Sequence, residues 1–144
     1  MPTKKTSTFA AIVTVLAVVF GSFVVRVGHA LFDKPANVDE LLVQTSNEVN
    51  KKLPMVMADN FTRLDGVYAA PNKAMIYKYT LLGVSSTDVD KGKFVSVARQ
   101  KAVDFYKTSP SMSRLRALSV TLRHQYFDQN GLFILEVAVG PNDL

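Results

Sequence analysis

The chain has 144 residues, with 17 lysines and arginines against 12 aspartates and glutamates, and no cysteine. The missing thiol excludes cysteine nucleophiles, thiolate metal sites, redox dithiols and disulfides, so a folded domain must be held by its core alone. Lys4, Lys5 and Arg26 flank an apolar segment and supply much of the net charge of +5; the remaining charges nearly balance, which argues against a nucleic-acid partner.

That apolar segment, Thr6 to Val25, runs for twenty residues without a charge. As a helix it would span about 30 Å, the thickness of a bilayer's hydrocarbon core. Residues 1–30 are therefore expected to be a membrane anchor or signal segment. The first reading is a single transmembrane helix at the inner (plasma) membrane with a cytoplasmic N-terminus. Ala17 and Gly21 have the small-x-x-x-small spacing that seats a partner helix, although such a pair is also ordinary composition for an apolar helix. The alternative is a cleaved signal peptide: Gly28-His29-Ala30 fits the small-x-small rule and would release a periplasmic or secreted protein. The length of the uncharged run favours retention.

Residues 31–37 read as a polar linker and residues 38–144 as one extracytoplasmic domain. Asn37 and Glu40 have capping-box spacing, and Val38, Leu41, Leu42, Thr45, Val49 and Leu53 follow at helical intervals up to Pro54. Thr62–Tyr68 and Ala74–Leu82 then form a hairpin across Pro71-Asn72-Lys73, with Met75, Tyr77, Tyr79 and Leu81 on one face. Gly83 to Asp90 is a loop with cap residues. A second helix begins near Val89 or Lys93 and reaches Lys107, with Phe94, Val97, Ala98, Lys101, Ala102 and Phe105 as its stripe. Leu118, Val120, Leu122, His124 and Tyr126 alternate as a strand. Asp128-Gln129-Asn130-Gly131 turns the chain, and Phe133, Leu135, Val137 and Val139 return. The order helix, hairpin, helix, hairpin predicts an α+β domain: a four-stranded antiparallel sheet with two helices on one face, behind the N-terminal transmembrane helix. The bare face would carry Lys78, Thr121, Arg123 and Gln125.

The constellations of catalysis are not apparent. His124 alternates with apolar residues and reads as a core-edge histidine rather than a base. Asp88 and Asp90 fit helix capping better than calcium binding. Glycines are scattered, so no phosphate loop is expected. The reading is of no catalytic, metal or cofactor site. Arg114, Arg116, Arg123 and Gln125 form a basic and polar set that can meet an anionic lipid head group or an acidic protein patch, against the plainer reading of a solvated sheet face, and Tyr77 and Tyr79 are candidate anchors, against the plainer reading of core packing.

Asn50-Lys51-Lys52-Leu53-Pro54-Met55, Thr62-Arg63-Leu64-Asp65, Tyr77-Lys78-Tyr79-Thr80 and the turn Phe127-Asp128-Gln129-Asn130-Gly131 together resemble small exported bacterial envelope proteins of uncharacterised function. The resemblance implies a bacterial envelope address and paired hairpins after a helix, and it carries no activity. The expected role is a non-enzymatic, membrane-anchored accessory or binding subunit of an envelope complex, with a homo-oligomer also compatible. The alternative is a secreted periplasmic inhibitor or immunity-type protein released near Ala30.

Overall fold

The computed structural model describes residues 37–144. The expected membrane segment, with Ala17 and Gly21 and the cleavage site at Ala30, lies outside these residues. Among the described residues no helix is long and apolar enough to cross a membrane.

Helix α1 spans Val38–Asn50 and starts as its sequence predicts: the Glu40 amide donates to the Asn37 side chain at 2.7 Å. Its buried residues are Leu41, Leu42, Ser46 and Val49. A short strand β1 (Met55–Val56) leads into β2 (Thr62–Ala70) and β3 (Ala74–Leu81). Helix α2 (Lys91–Thr108) is capped by Asp90 and buries Phe94, Ala98, Ala102 and Tyr106, the 3.6-residue stripe of its sequence extended by Tyr106. A short helix α3 (Ser113–Ala117) precedes β4 (Thr121–Phe127) and β5 (Phe133–Val139).

The sheet corrects the expected topology. It has five strands in the order β1-β2-β3-β4-β5, and it is mixed: β3 and β4 run parallel, while every other neighbouring pair is antiparallel. The reason is the length of α2. A helix of 18 residues rises about 27 Å, and a strand of 8 residues spans nearly the same, about 26 Å. The helix therefore carries the chain from the end of β3 back to its beginning, where Thr121 pairs with Ala74. A parallel neighbour is the outcome of such a crossover.

The strand expected from Leu118 starts later, at Thr121. Leu118 and Val120 belong to the end of α3 instead. Ser119 has φ of 58°, its amide donates to Arg116 O, and the Val120 amide donates to Leu115 O. This is a Schellman closure, with serine in the place glycine usually takes.

Both long helices cover the same face. Leu42 and Val49 of α1 and Phe94, Ala98, Ala102 and Tyr106 of α2 share one core with Leu64, Val67, Met75, Tyr79, Leu122, Tyr126, Val137 and Val139 of the strands. Tyr106 also donates its hydroxyl to Val120 O at 2.7 Å, which fixes the end of α2 against the entry to β4.

Two buried aspartates organise the end of the sheet where β3 and β4 finish. Asp59 accepts from the amides of Phe61 and Thr62 and from the Thr62 hydroxyl. Asp128 accepts from the amides of Asn130 and Leu132 and, across the loop, from the amide of Ser86. Those hydrogen bonds, the one from Ser86 foremost, hold the Asp128 carboxyl below its ordinary range. The hairpin turn is where Asn130-Gly131 places it, with Gly131 at φ of 81°.

The edges of the sheet are closed by side chains. The carboxamide of Asn50, the last residue of α1, donates to Val67 O at 2.7 Å and accepts from the Val67 amide at 2.8 Å. It satisfies both outward groups of a β2 residue as a neighbouring strand would. At the other edge Arg99 donates to Ala138 O at 3.0 Å. Open edges template unwanted pairing, and these contacts blunt them. Asn50→Ala is expected to cost about 1–3 kcal/mol in urea unfolding, because it strands two half-buried backbone groups. It should also produce concentration-dependent self-association in sedimentation. A variant as stable and as monodisperse as the parent would remove this role.

Candidate functional site

The second face of the sheet has no helix over it among the described residues. Its side chains lie in rows set by register. Arg63, Thr80, Phe127 and Phe133 form one row; Lys78, Gln125 and Glu136 the next; Tyr68, Ile76, Arg123 and Ala138 a third. Of these, Tyr68 is 47% and Phe133 53% exposed.

The polar groups on this face are mostly committed to each other. Arg123 makes a two-pronged pair with Glu136, Nε to Oε1 at 2.9 Å and a terminal nitrogen to Oε2 at 3.0 Å. Gln125 donates to the same Oε2 at 2.7 Å. Desolvation alone would raise the Glu136 carboxyl, but the Arg123 and Gln125 hydrogen bonds and the arginine charge outweigh it and hold it low. Arg63 pairs with Asp65, whose other oxygen accepts from the Thr80 hydroxyl. Lys78 is held differently: its ammonium lies 5.3 Å from the Tyr68 ring centre and 6.0 Å from that of Phe127. Phe127 in turn meets Phe133 edge to face at 5.6 Å.

Tyr68 reaches this face because of a bulge. The register between β2 and β3 shifts between Leu64 and Gly66, so Leu64 and Val67 both point into the core and Tyr68 points out. Its ring then lies across Gly66, where an added Cβ would collide with the tyrosine ring and hydroxyl. The three tyrosines of the first hairpin are thereby divided between faces.

The expected contact residues separate in the same way. Arg123 and Gln125 are adjacent on the open face. Arg116 is elsewhere: it donates to Tyr106 O at 2.6 Å and Ser109 O at 2.9 Å, closing the carboxyl end of α2. Arg114 lies with it on α3. Tyr79 is 1% exposed and Tyr77 is half-buried, both on the helix-covered face, so the anchor role expected of Tyr79 gives way to core packing. Tyr77 and Tyr79 flank His124 at ring-centre distances of 5.3 and 6.0 Å, and Tyr79 stacks on Tyr126 at 5.2 Å. Phe94 of α2 closes the stack edge-on at 5.0 Å from Tyr126.

His124 is therefore a core residue, and its Nδ1 lies 3.4 Å from the Tyr79 hydroxyl. Burial lowers its pKa to about 4. Burial also pushes the Tyr79 and Tyr126 hydroxyls up. Among the described residues no three histidine or acidic side chains are grouped to hold a metal ion. The surface offers packing, one oriented ammonium and a fixed ion pair. Sequence reasoning placed Lys78, Arg123 and Gln125 on this face but not Tyr68, Phe127, Phe133 or Glu136. The alternation at Phe127 and Glu136 was a usable signal; the bulge before Tyr68 was not.

No protein-family model and no curated protein matches the chain in sequence. Its fold is similar to that of solved structures. One is the type II secretion system pilotin AspS from Vibrio cholerae, with TM-score 0.57 at 11% identity over 75% of this chain and 93% of that one. Another is EpsS, the pilotin of the Vibrio vulnificus type 2 secretion system, with TM-score 0.55 at 8% identity over 74% and 90%. A third, from Pseudomonas aeruginosa and described as secreted, has TM-score 0.55 at 12% identity over 76% and 98%. At these identities the likeness is one of fold.

The buried histidine gives a test of the packing beneath this face. In the unfolded chain His124 takes up a proton near pH 6.5, and in the folded protein only near 4. Between these values the unfolded state binds more protons, so stability falls as pH falls through that window, by about 3 kcal/mol in all. Urea unfolding at stepped pH should show this slope in the parent and a shallower one in His124→Phe. Equal slopes would mean that His124 is not buried as described.

Proposed function

We propose that the protein is a non-enzymatic accessory subunit of a bacterial envelope complex. It acts on the extracytoplasmic side by binding a protein partner through the open face of its sheet. The observation that carries this reading is the face itself: a sheet surface without a helix over it among the described residues, with exposed Tyr68 and Phe133 beside a fixed Arg123–Glu136 pair. Aromatic side chains that are held in place before contact make efficient interface anchors. The similarity of fold to two type II secretion pilotins supports an accessory role. The similarity to a protein described as secreted supports the address. Arg123 and Gln125 keep the partner-binding role expected from the sequence. Arg114, Arg116, Tyr77 and Tyr79 are left to the architecture behind it.

The test is capture of the native partner. The full-length chain, crosslinked in its host and purified, should retain one reproducible envelope protein. Tyr68→Asp with Phe133→Asp should reduce that capture by at least about tenfold, as loss of two anchors at the centre of an interface would. Lys107→Glu, on the exposed side of α2, should leave it unchanged. Undiminished capture by a folded Tyr68→Asp, Phe133→Asp variant would contradict the proposal.

A further inference from the structure

Lys78 stands at the centre of the open face, in register with Gly66 on one side and Gln125 on the other. The other two cations of the face are spoken for: Arg63 by Asp65 and Arg123 by Glu136. Among the described residues no carboxylate lies within ion-pair distance of the Lys78 ammonium. It is oriented instead by the faces of Tyr68 and Phe127. A cation held between two rings is partly stripped of water and fixed in position, so its charge is available to an incoming anion at little further ordering cost. Apolar surface surrounds it, from Tyr68, Ile76, Phe127 and Phe133.

We propose that Lys78 is the specificity residue of this face, and that its ligand is a protein segment presenting one carboxylate flanked by apolar side chains. The inference rests on the docking role proposed above and adds the chemistry of what docks. Charge complementarity selects the occupant. One uncommitted cation matches one carboxylate. Asp65 and Glu136 neutralise the two arginines beside Lys78, so the charge left for an incoming anion is that of the lysine. A lipid surface or a nucleic acid would need several free cations, and among the described residues this face offers one. An apolar segment without an acid would leave the ammonium desolvated and unpaired on binding, which penalises the wrong partner.

Selection of a random-peptide display library on the full-length protein tests this directly. Peptides enriched on the parent should share an Asp or Glu between aromatic or aliphatic residues. Lys78→Glu should bind those peptides at least about tenfold more weakly, as loss of one partner from a partly desolvated ion pair does. Replacing the peptide's acid with lysine should restore binding to Lys78→Glu. Vesicles containing anionic lipid should not compete with the peptides. The inference is overturned if the peptides bind the parent and Lys78→Glu alike, if no acidic consensus emerges, or if anionic vesicles displace them. Tyr68→Asp separates the two levels of the argument. Peptides that lose binding to Tyr68→Asp but not to Lys78→Glu would keep the face as the docking surface while removing the acidic ligand. Peptides indifferent to both would remove the face as well.

Discussion

Strands β3 and β4 run side by side in the same direction, and only a crossover can join them. Helix α2 supplies that crossover, and its length matches the strand it spans. Its Phe94, Ala98, Ala102 and Tyr106 bury against the sheet, and Phe94 reaches the Tyr126 ring. Helix α1 packs into the same core through Leu42 and Val49. With both helices on one side, alternation along each strand sends every second residue to a face that nothing among the described residues covers. The polar, aromatic surface is thus a consequence of how the parallel pair is connected.

The two faces differ in how they treat charge and aromatic groups. On the covered side, tyrosines and His124 stack in a closed core, and burial suppresses their ionisation. On the open side the ions are kept but arranged: Arg123 with Glu136 and Gln125, Arg63 with Asp65 and Thr80, Lys78 between two rings. Half-exposed ion pairs of this kind contribute little to stability. In the role proposed for this face, their value is in holding side chains still, so that a partner would meet a surface already ordered.

Local chemistry was legible in the sequence. The Asn37 and Asp90 caps, the stripe of α2, the turn at Gly131 and the alternation of Leu122, His124 and Tyr126 all rest on neighbours within a few residues. So did the prediction that Arg123, Gln125 and Lys78 share a bare face. What escaped depends on distant partners or on positions without a residue signature. The parallel pairing of Ala74 with Thr121 joins residues far apart in the chain. Asp128 draws a hydrogen bond from Ser86, 42 residues away. Ser119 adopts a left-handed conformation that a glycine would have announced. The bulge before Gly66 moved Tyr68 to the face opposite Tyr77 and Tyr79, and nothing in the alternation of that strand marks it.

In the proposed role the open face meets the partner and the helical face does not. A photoreactive amino acid placed singly at Phe133 or Tyr68 on the open face, and at Val95 on the exposed side of α2, distinguishes them in the living host. One crosslinked envelope protein is expected from Phe133 and from Tyr68, and none from Val95. Crosslinking from Val95 with silence at both open-face positions would place the interface on the helices and contradict it.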